Sequence, residues 1–91
     1  MKVTKEIKNA VQQVLAWRID RANYGMLSTM RIPWESQHLL SVNHITITPN
    51  MSMHDDIVHH GCVTIGKVYY RYATRKRDGM YKMLKPKVEW L

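Results

Sequence analysis

Five histidines and one cysteine are the side chains with the widest chemical reach in this chain. Three of the histidines fall in a single run, His54-Asp55-Asp56-Ile57-Val58-His59-His60. Asp55 and His59 are four residues apart, and so are Asp56 and His60. On a helix each pair would share a face, where it could offer two ligands to a metal or an acid–imidazole pair for general acid/base work. A zincin motif needs two histidines one helical turn apart. His54 and His59 are five apart and would diverge by roughly 140°. Further ligands would have to come from His38 or His44. A structural role explains the same residues more simply. Aspartates in a first turn and histidines in a last turn complement a helix dipole, and spacing of four adds about 0.2–0.5 kcal/mol per pair. No metal and no cofactor is therefore expected, and His54, Asp55, His59 and His60 stand only as secondary catalytic candidates.

Cys62 is the one thiol, which excludes an intrachain disulfide and a cysteine zinc cluster. A lone thiol fits a reducing compartment, so a cytoplasmic location is expected. Beside a strand it reads as a small apolar residue, not a nucleophile. The glycines are isolated turn residues and form no phosphate loop.

The second chemical feature is cationic. The chain holds 14 Lys and Arg against 7 Asp and Glu, for a net charge of +7. Most of that excess lies after residue 66, and seven bases fall within Arg71–Lys87. If Asp78-Gly79 is a two-residue hairpin turn, Arg77 faces Met80, Lys76 faces Tyr81, Arg75 faces Lys82 and Thr74 faces Met83. One face then holds Val68, Tyr70, Tyr72, Thr74, Tyr81 and Met83. The other holds Tyr69, Arg71, Ala73, Arg75, Arg77, Lys82 and Leu84. The first suits a core. The second suits nucleic acid, because Lys and Arg replace counterions on phosphates and a tyrosine ring stacks on a base. Tyr69 is the stacking candidate. Arg71, Arg75, Arg77 and Lys82 are the phosphate contacts, with Lys76, Lys85 and Lys87 flanking. A cationic hairpin also suits an acidic protein surface, and lysines can simply guard a sheet edge.

These residues need elements to position them. Thr4 is a candidate N-cap, and Ile7, Val11, Val14, Leu15, Arg18, Ile19 and Ala22 recur at helical spacing. A helix is predicted over Lys5–Asn23, stopped by Gly25. Arg18, on its apolar stripe, would pack its stem and send its head to Asp20 or solvent. Residues 25–37 read as a loop, with Trp34 docking it onto the core. From His38 to Thr48 the period becomes two, which predicts a strand ended by Pro49-Asn50. Residues 52–60 read as a short helix, with Ser52 capping and Gly61 as the stop. Val63-Thr64-Ile65, a Gly66-Lys67 turn and Val68–Lys76 make one hairpin. Asp78-Gly79 and Met80–Lys85 make a second, ended at Pro86.

The expected fold is α+β: one long N-terminal helix packed on a small antiparallel sheet, with a short helix inserted before C-terminal hairpins. Ninety-one residues suit a single domain, 1–91. The charged N-terminus lacks a signal-peptide apolar run, and no apolar stretch is long enough to span a bilayer. No membrane partner is expected.

Three functions follow, in order. The first is a non-enzymatic nucleic-acid-binding protein, RNA or single strands over duplex, in a regulatory or accessory role. The second is an interaction protein that docks on an enzyme and inhibits or regulates it. The third is a small nuclease dependent on histidine or metal. A homodimer through an open strand edge at 38–48 is permitted. In size and charge the chain is similar in style to small basic early proteins of bacteriophages. It also shares length and charge with the small ribonuclease toxins of bacterial toxin–antitoxin systems, whose two helices precede the strands, unlike the order read here.

Overall fold

The computed structural model describes residues 2–48, 56–84 and 89–90, the last two as backbone only. The first helix, α1, spans Lys5–Tyr24. It starts where expected because Thr4 Oγ1 accepts the orphan Ile7 N–H at 3.2 Å. It stops because Gly25 takes φ +55°, a conformation in which glycine carries no Cβ penalty. Its stripe of Ile7, Ala10, Val11, Val14 and Leu15 is buried. A single 3₁₀ turn, Gly25–Leu27, follows.

The short helix lies elsewhere than the local signals suggested. It is α2, Trp34–Val42, within the segment read as loop and strand. Pro33 sits at its N-cap in an extended conformation, and Gln37 Nε2 donates to the Ile32 carbonyl at 2.8 Å. Leu39 and Leu40 pack against the core. A nine-residue helix is marginal alone, so its packing decides it. Trp34 does not dock the loop onto the core: it is 71% exposed and tilts against His38, ring centres 6.0 Å apart. Asn43 Nδ2 donates to the Leu39 carbonyl at 2.7 Å, and His44, with φ +52°, turns the chain into the sheet.

Among the described residues, five strands form one antiparallel sheet: β1 Ile45–Ile47, β2 Val58–Ile65, β3 Val68–Arg77, β4 Met80–Met83 and β5 Glu89–Trp90. The order is β1-β2-β3-β4, and β5 pairs β3 at Tyr70 and Arg71. Gly66, φ +59°, opens the β2–β3 turn. Asp78 and Gly79, φ +53° and +77°, form the β3–β4 turn, both positive as a type I′ turn needs. The β3–β4 register matches the one the turn dictated, Arg77 to Met80 through Thr74 to Met83.

The helix expected at 52–60 is not formed over its described part. Residues 52–55 lie outside the described residues. Asp56 is in a turn at φ +62°, and Val58, His59 and His60 are already in β2. The reason is pairing. Val58 to Ile65 faces Arg75 to Val68 in an unbroken ladder, and those non-local bonds outweigh local capping signals. Gly61 is therefore no helix stop but a mid-strand residue. Ile7, Val11 and Leu15 of α1 close over Val63, Ile65, Tyr70 and Tyr72 of the sheet. Both helices lie on this inner face, and both precede every strand.

Candidate nucleic-acid interface

Alternation along β3 assigns each side chain to a face. Tyr70, Tyr72 and Thr74 are buried, while Tyr69 and Arg71 between them are exposed. No helix covers the outer face among the described residues. Same-face neighbours on a strand stand about 6.6 Å apart. The outer face of β3 therefore runs Tyr69, Arg71, Ala73, Arg75, Arg77 in even steps. Tyr69 is 52% exposed. Lys82 stands directly across from Arg75, which pairs two cations side by side. Val58 flanks Arg75 on the other side, and the Arg75 Nε is buried with no hydrogen-bond partner among the described residues.

The remaining basic residues divide. Arg77 is on the face, but its Nε is 3.1 Å from the Asp56 carboxylate in an exposed ion pair. Lys76 points to the opposite face, its ammonium 5.3 Å from the Tyr81 ring centre. It does not flank the site as the sequence suggested. Lys85 and Lys87 lie outside the described residues. The Arg18 Nε is buried without a partner among the described residues, and the Asp20 carboxylate accepts from the Ser28 hydroxyl.

The histidine candidates separate too. His54 and Asp55 lie outside the described residues. His59 and His60 are adjacent in a strand and so point to opposite faces. Asp56 and His60 share no helix, since Asp56 is turned toward Arg77. Among the described residues, no three His, Cys, Asp or Glu side chains gather where they could hold a metal.

β2 adds outer-face residues that sequence reading missed. His60 stands across from Ala73, and Cys62 across from Arg71. With Thr48 and the Gly61 backbone, His60, Cys62 and Arg71 line a shallow hollow of about 400 Å³. Glu89 occupies the register position on the other side of Arg71. The available signal was alternation: extending the Val63–Ile65 strand backward puts Cys62 and His60 on the arginine face.

On the inner face, burial pushes the Tyr70 phenol above its ordinary range, against the opposing effect of a hydrogen bond from the Gln12 side chain. That residue belongs to the core.

Among the described residues, no helix is long and apolar enough to cross a membrane. Comparison with family models, with curated proteins and with solved structures finds nothing that this chain matches.

Proposed function

We propose that the protein binds nucleic acid, single strands or RNA in preference to duplex, through the outer face of its sheet, and does so without catalysing a reaction. One observation carries this reading: Tyr69, Arg71, Arg75 and Lys82 share one face that no described helix covers, with the aromatic at the Arg71 end of the row. Phosphates are answered by the cations, and an unpaired base can lie on the ring. A flat tyrosine platform takes unstacked bases more readily than it enters a groove, which is why single strands come first. A cytoplasmic setting suits Cys62, which would stay reduced there.

The test is fluorescence anisotropy with labelled RNA, single-stranded DNA and duplex DNA across a salt series. Binding should weaken steeply as salt rises, because several phosphates are neutralised. The charge reversal Arg71→Glu with Arg75→Glu should abolish it with the fold retained. Unchanged affinity in that variant would sink the reading.

The partner-protein reading keeps an observation of its own. Met26 and Leu27, 98% and 84% exposed, form an apolar tip after α1 that a nucleic-acid face leaves unused. A pull-down that survives nuclease treatment would favour it. The order of two helices before the strands is the one the ribonuclease toxins have, but element order alone carries no activity. Cleavage of the RNA probe would move the reading to the nuclease alternative.

A further inference from the structure

The hollow beside Tyr69 has the dimensions and the donors of a distinct subsite. It is lined by Thr48, His60, Gly61, Cys62 and Arg71. Thr48, His60 and Arg71 are all exposed at its rim. Three of the lining residues carry a guanidinium, an imidazole and a hydroxyl, each able to donate a hydrogen bond to an anionic oxygen. The Thr48 carbonyl is already committed, since it accepts from the Tyr72 hydroxyl. Of the three side chains, the Arg71 guanidinium can only donate, while the imidazole and the hydroxyl can also donate. Arg71 is one same-face step from Tyr69, about 6.6 Å. The paired cations Arg75 and Lys82 lie two steps further, beyond the small Ala73.

We propose that this hollow is the phosphate subsite for the nucleotide whose base lies on Tyr69, with a phosphate further along the chain answered by Arg75 and Lys82. The inference rests on the nucleic-acid reading of the outer face. It adds His60 and Thr48 as binding residues, and it places a single strand along β3, its backbone crossing from the β2 side at the hollow to the β4 side at Lys82. A duplex cannot use the subsite, because its bases are stacked away from the ring.

Cys62, the one thiol of the chain, reports on the hollow directly. The experiment uses the full chain, a short labelled oligouridylate and N-ethylmaleimide. At probe concentrations ten times Kd, alkylation of Cys62 should slow by about tenfold, following occupancy. His60→Ala and Arg71→Met should each weaken the probe by roughly fivefold or more, with far-UV spectra unchanged. Suppose instead that the probe binds and is released by Arg75→Glu with Lys82→Glu. If Cys62 then alkylates at an unaltered rate and His60→Ala binds as wild type, the subsite is overturned while the nucleic-acid reading stands. If the probe fails to bind at low salt, both fall together.

Discussion

The Tyr72 ring crosses the strand at Gly61, where a Cβ would lie 2.8 Å from Tyr72 Cε1 and closer still to Cζ. The two residues are cross-strand partners on the inner face. The ring passes over the glycine so that its hydroxyl can donate to the Thr48 carbonyl beyond the end of β1. Gly61→Ala should therefore destabilise the protein by about 1–3 kcal/mol, the usual cost of overpacking. In an ordinary strand position the same change would be mildly favourable. Adding Tyr72→Leu should recover part of the loss of Gly61→Ala, because the clashing ring is gone. Denaturant midpoints of the two single variants and the double variant measure the coupling; strict additivity would show that the ring does not need the glycine.

Asn23 closes the edge of β4 that no described strand pairs. Its Nδ2 donates to the Tyr81 carbonyl at 2.9 Å, and its Oδ1 accepts the Tyr81 N–H at 2.5 Å. A carboxamide thus does for Tyr81 what a neighbouring strand would do, and it ties the last turn of α1 to the sheet. Asn23→Ala should cost about 1–3 kcal/mol, since two part-buried backbone groups lose their partner. Hydrogen exchange should rise at Tyr81 first. Protection unchanged at that amide would contradict the clamp.

Two neighbouring lysines should behave differently. Lys82 faces outward beside Arg75, whereas Lys76 lies on the opposite face over the Tyr81 ring. Lys82→Ala should lower nucleic-acid affinity and reduce the salt slope by about one unit. Lys76→Ala should leave the slope as it is and cost about 0.5–1 kcal/mol of stability through the lost ring contact. Equal salt slopes in the two variants would show that the two faces do not divide the work this way.

Tyr70 should dominate alkaline unfolding. Its phenol is fully buried, and burial raises its pKa above the ordinary value near 10. A raised folded pKa means that the neutral form is favoured in the fold. The stability it contributes is whole below the unfolded value and is lost as pH rises through the folded one. Melting temperature should fall above pH about 10 in the wild type. In Tyr70→Phe that alkaline fall should be shallower, although Gln12 loses a partner and the neutral-pH stability drops. Identical alkaline slopes would rule out Tyr70 as the group responsible.

Much of the candidate face is legible in the amino-acid sequence. The Asp78-Gly79 turn sets the β3–β4 register, and alternation then separates Tyr70 and Tyr72 from Tyr69, Arg71 and Arg75. Both are local rules, with a period of two and a turn that admits one pairing. The β2 flank of the site is not legible in the same way. His59 and His60 sit after acidic residues and before a glycine, which mimics the end of a helix.

The chain by itself determined α1, its Thr4 cap, the two hairpin turns and the faces of β3. Each rests on contacts within a few residues, so the stretch of sequence carries all the needed terms. Tertiary structure alone decided that 34–42 is a helix, that 58–60 is strand, and that Gly61 serves the Tyr72 ring. A nine-residue helix and a residue beneath a ring draw their free energy from partners distant in sequence, and those partners appear only once the chain has closed on itself.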